Sequence, residues 1–551
     1  MQGGGSAGGR PSLYYSPHDR GPERPYPAGW PPGRPPGRGR PPSRGRWGRK
    51  SLPAKIGYIA ATLVAVVAVV VGIGGFVVYH QLSSNIQKVT VGHLSGQTVY
   101  GSLNILVLGS QTRLGQRGNF GFDATPGVSN SDNLLLIHLD PKHTHATILS
   151  IPRDTFVYQP ACKERAYVGT GTWPAQPYPP GAIIDGALNI GGPTCAVQTV
   201  EALTGITLDH VVEFNFNSFR TMVGEFGGVE VCVPPGPGYH DKQANLNLSP
   251  GKHMVNYSEA LAYVRARHSL GGPDAGGDLP RIQLQQAFIA SVVQKVNKIG
   301  LVSNAPALLG IAETATRALT VDQGLGSVTS LMRLAQSLAH LKSQNVTMLT
   351  MPTTTDTFPG LSAHLMPVQP QDDVLFEMIR TGQLWTGALP VQPHSEVRVK
   401  VLNATGQPGL AARTAQKLRA LGFRVVGTGD APYSATTTVD YAGTAQADAA
   451  YTVGTALTSF PGGQNTLPEE VSQTGRPGPV TLILGANFTG VQLPKVTQPA
   501  PSATASKGKT GTSGGGTVTA ANPGPTSGAS KVQSRNAGAS ICSGLPPALG
   551  G

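Results

Sequence analysis

Charge is scarce in this 551-residue chain, at 13% of residues, so any local cluster of ionisable side chains stands out. Cysteine is scarcer still. Cys162, Cys195, Cys232 and Cys542 include no C-x-x-C pair, and no histidine sits at ligand spacing, which argues against a zinc site. No G-x-x-x-x-G-K-S/T phosphate loop and no dinucleotide fingerprint occurs beyond residue 80, which argues against nucleotide-dependent chemistry. No repeat and no DNA-binding motif stands out. The chain is basic, but eleven Lys and Arg against Asp19 and Glu23 place nine of its thirteen net positive charges in residues 1–55. The high pI therefore belongs to a tail and is no sign of a nucleic-acid-binding domain; no nucleic-acid partner is expected.

Residues 1–55 are rich in Gly, Pro and Arg, with too little apolar surface for a core, and read as a disordered tail. Ile56–Tyr79 follows without a formal charge, long enough at 1.5 Å per residue to cross a bilayer core of roughly 30 Å. A cleaved signal peptide would have a shorter apolar region and a shorter basic one. A retained single span is expected. Arginines precede it and only Lys88 follows before residue 100, so the N-terminus is expected in the cytoplasm and everything from about residue 80 outside. An exterior suits disulfides. Cys162–Cys195 is the first expectation, closing a Pro/Gly-rich loop, with Cys232 and Cys542 left open.

Beyond a juxtamembrane segment, 80–99, apolar runs alternate with helical spacing through 100–355. Leu103–Leu108, Asn133–Leu139, Thr147–Ile151, Val211–Phe216, Val229–Val233 and Val346–Met351 read as strands. Val197–Leu203, Phe219–Phe226, Ile282–Ile299 and Ser327–Leu341 read as helices. Interleaving of this kind predicts a layered α/β domain. A proline-bearing linker, 356–394, leads to a small α/β unit over 395–492, and 493–551 reads as a flexible Ser/Thr/Gly/Pro-rich tail.

The cluster that breaks the charge-poor background is Arg265, Arg267, Asp278 and Arg281, within 17 positions. Guanidinium groups present forked donors that match phosphate oxygens, so these residues point to a phosphorylated ligand. The plain alternative is a solvated charged helix. Two residues apart, Arg265 and Arg267 would diverge by about 200° on a helix but share a face on extended chain. A helix from near Ser258 is therefore expected to end around Tyr263, with both arginines beyond it.

Four ordered elements resemble the LytR-CpsA-Psr family of bacterial envelope proteins. They are Asn104-Ile105-Leu106-Val107-Leu108-Gly109-Ser110, Ser131-Asp132-Asn133, Ser150-Ile151-Pro152-Arg153-Asp154-Thr155, and the set Arg265, Arg267, Asp278, Arg281 and Gln285. Residues 396–490, with Val401-Leu402-Asn403-Ala404-Thr405-Gly406, resemble the LytR C-terminal domain. The resemblance implies a membrane-anchored α/β domain with a mixed central sheet, then a small α/β domain. It also implies phosphotransfer outside the cell, in which a polyprenyl-pyrophosphate-linked glycan is joined to peptidoglycan through a phosphodiester. The alternative function is a membrane-anchored polyprenyl-phosphate or glycan binder without efficient transfer.

By the same resemblance, Arg153, Arg265, Arg267 and Arg281 would clamp pyrophosphate; Arg113 reads either as a further member of that site or as a loop salt-bridge residue. Gln285 would orient a phosphate oxygen, and Asp278 would fix Arg281 or act on the acceptor hydroxyl. Asp132 would hold Mg²⁺ or Mn²⁺, hard cations that favour oxygen ligands. Two departures matter. Gln111 stands where the family has a second carboxylate, and Ile183-Ile184-Asp185 replaces the usual Lys-Ile-Asn, losing a cation near the phosphates. Asp154 reads as a turn cap presenting Arg153, and His210 as a satisfied core or surface histidine.

Overall fold

A computed structural model of the chain describes residues 52–92, 94, 99–110, 130–163, 171–178, 181–271, 278–299, 312–313, 316–338, 340–355, 364–458, 478–492 and 532–549. Residues 1–51 of the expected 1–55 tail, Gln111, Arg113 and the stretch 493–531 lie outside the described residues, while 52–55 belong to the first helix. Helix α1, Leu52–Asn85, contains the window Ala61–Asn85, long and apolar enough to cross a membrane, with Leu63, Val64, Val70, Val71 and Phe76 exposed.

The elements that build the main sheet and its neighbours are β1 (Gln87–Val89), β2 (Leu103–Ser110), β3 (Ser131–Leu139), β4 (Ala146–Ile151) and α2 (Gly186–Thr204). They continue with β5 (His210–Phe214), α3 (Phe216–Glu225), β6 (Val229–Val233), β7 (Tyr239–Asp241), β8 (Leu246–Leu248), β9 (Gly251–Val255), α4 (Tyr257–Arg265) and α5 (Asp278–Ile299). Then come β10 (Leu319–Asp322), α6 (Val328–Leu338), β11 (Val346–Thr350) and α7 (Gln371–Arg380). The smaller unit has β12 (Arg398–Asn403), α8 (Leu410–Ala420), β13 (Arg424–Asp430), β14 (Thr438–Asp440), α9 (Ala447–Thr455) and β15 (Val480–Leu484). The last element is β16 (Gln533–Asn536).

An eight-stranded mixed sheet runs β1-β10-β5-β2-β3-β4-β11-β16. Its central strands are apolar on both faces because both are covered, as the continuous Leu/Ile/Val runs require. Leu106, Leu108, Leu134, Leu136 and Leu149 pack with Val197 and Val200 of α2 and with α7 on one side. Leu103, Ile105, Ile148 and Met348 pack with Ala290 of α5 and Val328 of α6 on the other. A separate cluster gathers α3, α4 and α5 against β6–β9 around Tyr239, Tyr263 and Phe288. His210 is a buried residue of the main sheet, on β5, its Nδ1 3.1 Å from Asp322 Oδ2 on the neighbouring β10. The smaller unit has sheet order β13-β12-β15-β14.

Local chemistry sets several boundaries. Asn215 and Asn256 each cap a helix through a capping box, with Ser218 and Glu259 returning the bond. Helix α2 is kinked at Gly192 (φ 70°) and Pro193, just where the Cys162–Cys195 bridge crosses it. A Cβ on Gly191 would come within 2.6 Å of Cys195 Cβ, so the glycine permits that crossing.

Three expectations need correction. The linker over 356–394 contains α7, whose Val374, Leu375, Phe376, Met378 and Ile379 are buried, and whose Asp373 accepts from Tyr441 Oη at 3.0 Å. Its apolar face fills the gap between the two units, so it is core and not tether. The tail over 493–551 is not uniformly flexible: residues 532–549 carry β16, antiparallel to β11, and Cys542 is bonded to Cys232. Finally, α4 runs on through Arg265, with Ala266 the first extended residue, so of the two arginines only Arg267 lies beyond the helix. Segment 80–99 also contributes β1 to the main sheet, parallel to β10.

Candidate active site

One end of the main sheet collects the polar residues. Register pairs Ser110 with Ser131, Gly109 with Phe214, Leu134 with Ile151, and Ser150 with Thr350. The carboxyl ends of β2, β4, β5 and β11 and the amino end of β3 therefore share an edge, where side chains can project without displacing the core. Asp132 opens β3 there, and Arg153 leaves β4 on the turn Pro152-Arg153-Asp154-Thr155, closed by Thr155 Oγ1 donating to Pro152 O at 2.7 Å. Buried Gln286 of α5 ties the edge together, its Nε2 donating to Ser150 Oγ, Thr350 Oγ1 and Leu349 O.

Asp278 is the hub. It begins α5, where the helix dipole favours a carboxylate, and its side chain is 4% exposed. Arg281 Nη2 lies 2.6 Å from Asp278 Oδ2, Arg267 Nη2 lies 2.5 Å from Asp278 Oδ1, and Arg153 Nε lies 3.7 Å from Asp278 Oδ2. Arg153 also meets Asp132 through Nη1 and lies 3.4 Å from Asp154 Oδ1 through Nε. Burial pushes Asp278 up against the downward pull of Arg281. Burial also pushes Arg281 down, to about 10, so it stays charged at neutral pH. Arg153 rises: burial opposes its charge, but Asp132, Asp154, Asp278 and Asp185 outweigh that. Nε of Arg281 is buried with no hydrogen-bond partner among the described residues, a donor suited to an anion.

The structure brings Asp132, Arg153, Arg267, Asp278 and Arg281 into one cluster. Arg265 is not in it. As the last helical residue it is exposed, its guanidinium 5.6 Å over the Phe216 ring. Gln285 donates from Nε2 to Val264 O at 3.1 Å, which ties α5 to the end of α4. Gln111 and Arg113 belong to the residues not described.

Asp185, named in the sequence only as part of the Ile183-Ile184-Asp185 departure whose lost cation is at Ile183, joins the cluster. Its main-chain N donates to Arg153 O, its main-chain O accepts from Ser131 N, and its carboxylate accepts from Asn130 Nδ2 at 3.3 Å. Burial pushes it up to about 7; Arg153 opposes that, and Asp154 and Asp132 add to it. Its place as the last residue of that mismatched motif was the only signal in the sequence.

Oxygen donors suit a hard cation, and Asp132 is one of them, though Arg153 already occupies it. Among the described residues no group of three or more His, Cys, Asp or Glu is placed to hold a metal. Any cation here would lean on phosphate oxygens for the rest of its shell.

Residues 76–378 match the LytR_cpsA_psr family, and residues 396–488 match the domain described as LytR cell envelope-related transcriptional attenuator. Among similar proteins is the cell wall biosynthesis protein LcpA of Corynebacterium glutamicum, 28% identical over 367 residues, covering 62% of this chain and 69% of that one. The probable cell wall biosynthesis protein LcpB of the same organism is 31% identical over 239 residues, 43% of this chain and 51% of its own length. The polyisoprenyl-teichoic acid–peptidoglycan teichoic acid transferase TagT of Bacillus subtilis is 28% identical over 250 residues, 45% of this chain and 68% of its own. The match thus spans about half of LcpB and about two thirds of the other two.

Proposed function

The chain belongs to the LytR-CpsA-Psr family, and from that premise we propose that it is an extracytoplasmic phosphotransferase joining a polyprenyl-pyrophosphate-linked glycopolymer to peptidoglycan. The observation that carries the reading is the Arg153, Arg267 and Arg281 guanidiniums converging on one buried carboxylate at a sheet edge. Forked donors of this kind hold a pyrophosphate and meet the charge that develops as a phosphoryl group transfers. Without a ligand, Asp132, Asp154 and Asp278 neutralise the guanidiniums. An incoming phosphate would meet donors that these carboxylates leave open, such as Arg281 Nε, with the arginines already placed. TagT, by its name, acts on a polyisoprenyl-linked teichoic acid and peptidoglycan; the polymer for this chain is left general.

A bound Mg²⁺ or Mn²⁺ would neutralise phosphate charge, with Asp132 its ligand among the described residues and the substrate's own oxygens completing the shell. The chain's residues do the rest. Asp278 aligns Arg267 and Arg281. Asp185, poised near neutrality, is placed to take up a proton beside Arg153. Nine net positive charges in residues 1–55, and two disulfides beyond the apolar span, support a cytoplasmic N-terminus with the folded units outside.

The test is incubation of the full chain with a lipid-pyrophosphate-linked saccharide, peptidoglycan oligomers and Mg²⁺. A glycan–phosphate–peptidoglycan product is expected. Lipid retained on the protein without turnover would instead mark a binding protein, the reading that Gln111 in place of a carboxylate favours.

A further inference from the structure

The backbone that carries Arg267 follows α4 and belongs to no regular element, yet its peptide groups are held from two sides. On one side, Asp241 Oδ2 accepts from the main-chain N–H of Arg267 (2.8 Å) and of His268 (2.9 Å). Asp241 is 1% exposed, and its Oδ1 accepts from Gln243 N and Ala244 N at 3.0 Å each. Burial opposes its charge, but these backbone donors and the His268 ring hold it below the usual carboxylate range.

On the other side lies the segment 532–549, which follows the second unit in the sequence. Leu549 N donates to Ser269 O at 3.0 Å, and Gly271 N donates to Pro547 O at 2.7 Å. A Cβ on Gly271 would meet Pro547 Cγ at 3.1 Å, so the close approach suits glycine. The segment is itself anchored through β16 on β11, through Gln294 Nε2 donating to Ala537 O and Ala539 O, and through Cys542 bonded to Cys232. Tyr239, on the strand that ends in Asp241, donates its hydroxyl to Pro546 O at 2.5 Å, locking the two sides to each other.

We propose that Asp241 and the segment 532–549 form a positioning mount for Arg267, setting where its guanidinium meets Asp278 and a bound phosphate. The inference rests on the phosphate-site reading for its effect on ligand, but the mount is a property of the backbone and can be read without one. Asp241 and Cys542 are positioning residues, since neither touches the reacting atoms. Misplacing a binding group by about 1 Å can cost as much as 10²-fold, so loss of either side should be felt at the ligand.

The experiment uses the full chain in detergent, with inorganic pyrophosphate as the probe and affinity read by calorimetry. Asp241→Asn and Cys542→Ser should each weaken binding ~10-fold, and each should add less than ~2-fold when Arg267→Ala is already present, because coupled residues are non-additive. Thermal unfolding is recorded alongside, since a variant that is merely destabilised loses affinity in both backgrounds alike. Losses that multiply with that of Arg267→Ala, or variants that bind like wild type, overturn the mount. If the wild type binds no pyrophosphate, the phosphate-site reading fails, and hydrogen exchange over 266–271 decides the mount alone. Faster exchange in both variants supports it; unchanged protection overturns it.

Discussion

Arg281 and Asp278 sit one helical turn apart on α5, Nη2 to Oδ2 at 2.6 Å, with side chains only 7% and 4% exposed. Two charges this deep are each costly alone, and the pair is what makes either tolerable. Arg267 and Arg153 then read their own positions from the same carboxylate.

Arg281→Ala should therefore damage both fold and function. Breaking a buried pair costs roughly 3–5 kcal/mol, and loss of a charge-assisted phosphate contact costs a further ~10²-fold in transfer. Thermal unfolding and product formation on the same preparation separate the two effects. Wild-type turnover in the variant would remove Arg281 from the site.

Arg265 and Arg267 should separate sharply. Arg267→Ala removes a guanidinium from Asp278, whereas Arg265→Ala removes an exposed group stacked on Phe216. A drop of ~10²-fold for the first and less than ~10-fold for the second is expected in initial transfer rate. Equal losses would mean that Arg265 swings into the site when substrate is present.

Asp185 gives the site a pH signature. Its folded value of about 7 lies above its ordinary 3.8, so the unfolded chain gives up the proton first as pH rises. Stability should fall between about pH 4 and pH 7 at up to ~1.4 kcal/mol per unit from this group, then level off. Asp185→Asn should flatten that decline and raise the melting temperature more at pH 8 than at pH 5. Parallel melting curves across the range would show that the group is not held near neutrality.

Metal dependence tests the departure at position 111. If Gln111 stands in for a carboxylate, Gln111→Asp should lower the Mg²⁺ needed for half-maximal transfer, because it adds a formal charge at the ligand position. Asp132→Ala should abolish the response. A Mg²⁺ titration in which Gln111→Asp matches wild type while Asp132→Ala is inert would show that position 111 is no ligand.

Much of the core was legible because burial on both sheet faces leaves continuous apolar runs: β2, β3, β4 and β11 lie within a residue or two of Leu103–Leu108, Asn133–Leu139, Thr147–Ile151 and Val346–Met351. Helix α7 was not, because Pro367, Pro370, Asp372 and Asp373 disguise its start as linker. Asp372 is nonetheless buried, accepting from Val368 N at 2.6 Å. The Cys162–Cys195 bridge was readable from its loop; Cys232–Cys542 was not, since the two are 310 positions apart and only the fold brings them together.

The sequence by itself determined the apolar span, the layered α/β class, the charge-poor background and the short list of arginines and aspartates, all of which follow from composition and local periodicity. Tertiary structure decided which of those arginines work together. Ending α4 at Arg265 instead of Tyr263 turns one guanidinium onto Phe216 and leaves the other facing Asp278, a difference of two residues that no periodicity specifies. It also recruited 532–549, where Ser, Ala and Gly offer little to bury. That segment is ordered by a disulfide and by main-chain hydrogen bonds, which every residue type can make and composition therefore does not record.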